Sequence, residues 1–208
     1  MDWQRWHDKY DEPGSELARR LAAVQEHVRA GLDRCPPGEL KVISLCAGQG
    51  RDLLEVLPDH PRRDDVRARL VELDPRNTAY AEKLADGLPQ VEVVTGDASL
   101  TDQYDGMVPA DLVLVCGVFG NISAADIEQT IAACPQFCRP GATLIWTRHR
   151  EEPDLAPQIC EWFETRGFER VWLSDPNAGF GVGVHRFTGE TRPLELGRRL
   201  FSFERGGV

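Results

Sequence analysis

The sequence predicts an α/β domain: a doubly wound, seven-stranded, mostly parallel sheet with a C-terminal antiparallel hairpin strand. Three observations predict it. Short apolar runs of four to seven residues alternate with helical-period segments along most of the chain, as expected of strands buried on both faces and joined by right-handed crossovers. The alternation stops near the end, where two such runs follow one another across a polar turn without a helix between them. At 208 residues the chain has the size of one domain and can bury roughly 70% of its unfolded surface, so its core needs no disulfide or metal.

Taken in order, residues 1–38 read as an N-terminal helical cap or lid. Trp3, Trp6, His7 and Tyr10 share one helical face, and Leu17, Leu21, Val24, Val28 and Leu32 continue at helical spacing over 15–34, with Ser15 as N-cap. Residues 39–188 read as the core. Strands are expected at Lys41–Cys46, Ala68–Leu73, Val91–Thr95, Asp111–Cys116 and Thr143–Thr147, each rich in β-branched residues or Leu. Helices are expected between them near 51–57, 75–87, 123–138 and 154–166. Phe168–Leu173, a polar turn over Ser174–Gly179 and Phe180–Phe187 then form the hairpin. Residues 189–208 read as a C-terminal tail whose arginines (192, 198, 199 and 205) are solvated.

Composition narrows the function. Twenty-four basic against 34 acidic residues leave a net charge of −10, which opposes approach to a phosphate backbone and argues against nucleic-acid substrates. The six cysteines (35, 46, 116, 134, 138 and 160) form no C-x-x-C pair and have no histidine at zinc spacing. Cys134 and Cys138 read as packing residues four apart on one helix. This cysteine usage suits a reducing cytoplasm. No apolar stretch approaches the roughly 20 residues of a membrane span, and the charged, Trp-rich N-terminus does not read as a signal peptide. A cytoplasmic protein with a small-molecule partner, no metal, no membrane and no nucleic acid is the expectation; a homodimer is allowed.

The stretch most informative about chemistry is Val42-Ile43-Ser44-Leu45-Cys46-Ala47-Gly48-Gln49-Gly50-Arg51-Asp52. A strand runs into a bend of small residues and then a helix, whose free N–H groups and positive dipole end suit an anion. The second strand closes with Glu72-Leu73-Asp74-Pro75. Asp before Pro is a strong helix start, so Asp74 has a structural task and Glu72 is free to accept bonds from two sugar hydroxyls. The third strand closes with Thr95-Gly96-Asp97-Ala98.

These three motifs, in this order and ahead of a closing hairpin, resemble the class I S-adenosylmethionine-dependent methyltransferases over roughly residues 40–187. The resemblance implies a methyltransferase that uses S-adenosylmethionine, releases S-adenosylhomocysteine and acts on an oxygen, nitrogen or carbon of a small acceptor. It implies a cofactor site made by Cys46, Ala47, Gly48, Gly50, Asp52, Glu72, Leu73, Asp97, Ala98, Cys116 and Gly117. Within it, Glu72 takes the ribose, Asp97 the adenine amino group and the Ala98 N–H a ring nitrogen. The acceptor would meet Phe119 or Asn121 beyond the fourth strand, Arg148 beyond the fifth, and Trp6 and His7 from the N-terminal face. His149 and Tyr10 are the candidate catalytic groups, needed only if the acceptor arrives protonated. The family pattern has an acid where this chain has Ser44 and a glycine where it has Cys46; Asp52 is a nearby acid placed to compensate.

Two other readings compete. A nicotinamide-dependent dehydrogenase on a related sheet expects a third glycine where Leu53 stands. An S-adenosylmethionine-binding protein of the same fold, either regulatory or performing non-methylating chemistry such as cyclisation, remains the alternative, since fold alone does not establish activity.

Overall fold

The computed structural model of the chain describes residues 9–12 and 14–203. Seven strands form one sheet: β1 (Leu40–Leu45), β2 (Val66–Glu72), β3 (Val91–Thr95), β4 (Ala110–Val115), β5 (Cys138–His149), β6 (Phe168–Leu173) and β7 (Phe180–Phe187). Their order is β3-β2-β1-β4-β5-β7-β6. Pairing is parallel from β3 across to β5, while β7 lies antiparallel between β5 and β6. The expected fold is therefore the observed one, including the closing hairpin.

Alternation along each strand explains why both faces are covered. Val42, Leu112, Leu114, Ile145, Val182 and Val184 point to one layer. That layer holds α1 (Glu16–Arg34), α2 (Arg51–Leu54) and α3 (Pro75–Leu84). Ile43, Val113, Val115, Leu144 and Trp146 point to the other, against α4 (Ala124–Ala133) and α5 (Ala156–Glu164). Central strands buried this way read as continuous apolar runs. The helix starts follow side-chain chemistry: Ser15 accepts the Ala18 N–H, Ser123 the Asp126 N–H, and Asp74 the Arg76 N–H ahead of Pro75 at the first helical position.

Several boundaries differ from expectation, chiefly after β1 and around the start of β5. The helix after β1 is a single turn, Arg51–Leu54, followed by a 3₁₀ turn at Leu57–Asp59 that contains Pro58. The helix before β5 stops at Ala133, because Pro135 supplies no N–H to continue it. Cys138 consequently opens β5, paired with Ala110 across a bulge, and does not share a helix with Cys134. The tail also differs from a solvated appendage over 189–203: Leu100 bridges to Arg199, Ile122 bridges to Phe203, and Leu200 and Phe201 are buried.

Candidate functional site

The carboxyl ends of β3, β2, β1, β4 and β5 open into one cleft of about 1140 Å³. It lies where the strand order reverses between β1 and β4, the position at which open α/β sheets take ligands. At about 4.8 Å per strand, the crevice from β3 to β5 is roughly 19 Å long.

Backbone geometry shapes its centre. Cys46, Gly48 and Gly50 all have positive φ (50°, 55° and 71°), and Cys46 is the one non-glycine residue in that region among those described. A side chain there costs roughly 1–2 kcal/mol of local strain, and burial pushes the Cys46 thiol pKa up, so it stays protonated. The bend is pinned on both sides. Ala47 N–H donates to the Val71 carbonyl at 2.9 Å and Gly48 N–H to Glu72 Oε2 at 2.9 Å. Gly50 does not line the cleft. A Cβ there would meet Leu54 and Leu70 at 2.7 Å, so this glycine serves helix-on-strand packing. Because α2 is only one turn long, its dipole is weaker than the anion-binding expectation for this helix start assumes.

The acids stand in order along one rim. Glu72, at the end of β2, also accepts the Asp74 N–H at 2.9 Å through Oε1, which fixes its carboxylate at the cleft wall. Asp97, beyond β3, accepts the Ser99 N–H (3.0 Å) and Ser99 hydroxyl (2.6 Å) on Oδ1 and pairs with Arg199 Nη1 at 2.9 Å on Oδ2. Burial opposes its ionisation, but the Ser99 bonds and Arg199 together leave its pKa below the ordinary value. The two bridges of the tail bring Arg199 here, with Phe201 and Phe203 stacked edge to face (5.5 Å) at the cleft wall.

A second group faces the mouth from α1. Arg20 donates to the Tyr10 hydroxyl at 3.1 Å, and Asp52 lies close enough to both to influence them. Burial raises the Asp52 pKa, offset in part by Arg20 and a bond to Cys116. Burial pushes Tyr10 up to about 12, so at neutral pH its phenol is a hydrogen-bonding group and not a base. Cys116 is likewise held as a thiol by burial.

At the other end, Gly117 N–H donates to Thr147 Oγ1 at 2.8 Å, and Asn121 Nδ2 donates to the Gly117 carbonyl at 2.8 Å. His149 reaches across to Gly120, where a Cβ would lie 3.1 Å from its ring. Its Nδ1 is buried without a hydrogen-bond partner among the described residues. Arg148 is 8% exposed and lines the same cavity.

Placement of the expected residues is therefore uneven. Cys46, Ala47, Gly48, Asp52, Glu72, Leu73, Asp97, Ala98, Cys116, Gly117, Asn121, Arg148, His149 and Tyr10 converge on one cleft. Phe119 does not: it is fully buried against Trp146 and Phe163, which makes it core and corrects the substrate-contact expectation. Trp6 and His7 lie outside the described residues. Sequence reasoning missed Arg20, Ser99, Thr147 and Arg199. Only Arg20 carried a local signal, a cation within the first turns of α1.

Among the described residues, no group of histidine, cysteine and acidic side chains could hold a metal ion, and no helix is long and apolar enough to cross a membrane. No family model matches the chain, and no curated protein matches it. Solved structures do. One is an O-methyltransferase family protein from Burkholderia thailandensis (TM-score 0.64, 17% identity, 82% of this chain and 56% of that one). A second is 1,6-didemethyltoxoflavin-N1-methyltransferase of the same organism with bound 1,6-didemethyltoxoflavin and S-adenosylhomocysteine (TM-score 0.63, 19% identity, 89% and 85%). A third is magnesium protoporphyrin IX methyltransferase from Synechocystis PCC 6803 with bound S-adenosylmethionine (TM-score 0.65, 15% identity, 90% and 92%). The chain thus spans little more than half the length of the first and nearly all of the third. At these identities the shared property is the backbone architecture. The chain has the fold of the class I S-adenosylmethionine-dependent methyltransferases.

Proposed function

We propose that the protein is an S-adenosylmethionine-dependent methyltransferase acting on a small molecule. One observation carries the reading: the bend at Cys46–Gly50, the Glu72 carboxylate and the Asp97 carboxylate line a single cleft. Their side-by-side order follows from the strand order β3-β2-β1, so a ligand laid along the strand ends would meet them in turn. The residues fit the cofactor chemically. Glu72 would hold the two ribose hydroxyls, since a carboxylate has lone pairs left after accepting the Gly48 and Asp74 N–H groups. Asp97 would accept the adenine amino group. Arg20 and Asp52, oppositely charged and facing the mouth from α1 and α2, would hold the carboxylate and ammonium of the methionine end. Asp52 thereby replaces the acid that the family pattern has at Ser44.

S-adenosylmethionine supplies a methyl group on a sulfonium, which leaves as a neutral thioether when an acceptor lone pair takes that methyl. The chain's own work is then mainly positional. Gly117 and Gly120 keep side chains out of the space beyond β4, and Asn121 fixes that turn through the Gly117 carbonyl. His149 lines the cleft, and its Nε2, the ring nitrogen that is not buried, would take a proton from an acceptor that arrives protonated. Tyr10, kept protonated, would orient and not deprotonate.

Incubation with S-adenosylmethionine and candidate acceptors, read by mass spectrometry, tests this. S-adenosylhomocysteine formed in step with a methylated product is the expected outcome. Release of methylthioadenosine would favour the non-methylating alternative, and an unconsumed cofactor would favour a regulatory one.

A further inference from the structure

We propose that the acceptor is a small molecule bearing a carboxylate and that Arg148 holds it; this deepens the methyltransferase reading and rests on it. A guanidinium removed from water is costly unless an anion compensates it. Arg148 is 92% buried at the end of β5, and no carboxylate lies within 4.0 Å of it among the described residues. Among the described residues its buried Nε has no hydrogen-bond partner, and its Nη1 makes only two long contacts, 3.3 Å to the His149 carbonyl and 3.4 Å to the Pro153 carbonyl.

The neighbouring acids do not supply the missing charge at contact distance. Asp154 is taken up by Arg150 at 2.8 Å and by the Ala156 N–H at 2.9 Å, and Glu151 is exposed. Arg150 is the instructive comparison. Its side chain, two residues away, is 6% exposed and its Nε also lacks a partner among the described residues, yet its terminal nitrogens have Asp154 and the Ser174 carbonyl at 2.8 Å. Of two buried arginines on one segment, one is neutralised internally and the other lines the cleft. Burial correspondingly lowers the Arg148 pKa, with Asp154 and Glu151 acting against that shift.

Position fits the proposed role. Arg148 stands one strand beyond β4 and next to His149, so a carboxylate anchored there leaves the rest of the acceptor beside Gly120 and Asn121. A chain of net charge −10 does not attract an anion by its overall field, so recognition must come from such a local cation. Guanidinium and carboxylate pair in a fork that a neutral amide cannot match.

The test uses the whole protein saturated with S-adenosylhomocysteine and calorimetric titration with benzoate, salicylate and anthranilate, each against its carboxamide. At least one carboxylate is expected to bind at least about tenfold more tightly than its amide. Arg148→Met should abolish that preference while S-adenosylhomocysteine affinity stays within about twofold, and Arg148→Lys should retain part of it. Equal binding within every pair, no binding of any carboxylate, or a preference that survives in Arg148→Met overturns the inference. The wild-type comparison needs no variant to fold. Failure of the wild-type protein to bind S-adenosylhomocysteine overturns the methyltransferase reading and this inference with it. Intact cofactor binding without carboxylate preference overturns this inference alone.

Discussion

Acidifying the solution from about pH 6.5 to pH 4 sets His185 against its surroundings. Its side chain is fully buried in β7, with the ring stacked 4.6 Å from Phe163 and 6.3 Å from Trp146. Nδ1 accepts the Trp146 indole N–H at 3.2 Å, so the neutral ring carries its proton on Nε2, and a second proton would oppose two donors. Burial, with a smaller contribution from Arg170, lowers the pKa from 6.5 to about 3. Between those values the unfolded chain binds a proton that the folded chain does not, so stability falls as pH falls through 6.5 and levels off only near 3. At 1.4 kcal/mol per unit, the loss from pH 6.5 to pH 4 is about 3 kcal/mol, reduced if the aromatic faces stabilise an imidazolium. Urea denaturation followed by tryptophan fluorescence should show this loss in the wild-type protein. His185→Leu should lack it, while paying about 1–3 kcal/mol at neutral pH for an unpartnered indole N–H. The two stability curves should therefore converge or cross as pH drops. Parallel curves would refute the argument.

Two further predictions concern the cleft. Glu72→Ala should weaken S-adenosylhomocysteine binding by about 100-fold, about 3 kcal/mol for two hydroxyl bonds to a charged acceptor. The same variant should melt at a lower temperature, because the Gly48 and Asp74 N–H groups lose their acceptor; unchanged affinity by calorimetry would remove Glu72 from the site. Asp97→Ala should weaken S-adenosylhomocysteine about tenfold and erase the preference over S-inosylhomocysteine, whose ring has an oxygen in place of the amino donor. A preference that persists in the variant would leave Asp97 as a cap for Ser99 and a partner of Arg199 only.

Much of this architecture was legible in local chemistry. The Asp74-Pro75 pair is a helix start that could be read from two residues, and the structure shows Asp74 accepting the Arg76 N–H as that chemistry requires. The final hairpin was legible because Phe168–Leu173 and Phe180–Phe187 are separated by too few residues for a crossover helix. The start of β5 was not, since Pro140-Gly141 looks like a turn, while the strand crosses it as a bulge between the Cys138–Ala110 and Thr143–Leu112 pairs. Arg199 was illegible for a different reason. Its partner Asp97 is 102 residues away, and nothing in the tail's composition distinguishes an arginine carried to the cleft by two bridges from one left in solvent. Phe119 shows the reverse error: a residue beside a glycine turn at a strand end points into the core, because the turn at Gly117 directs it toward Trp146.

Calorimetric titration of the full chain with S-adenosylhomocysteine puts the convergence of Gly48, Glu72 and Asp97 to the most direct test. A single site with a dissociation constant at or below about the micromolar range, more than about 8 kcal/mol of binding free energy, is the predicted result. No binding heat at millimolar ligand would contradict it.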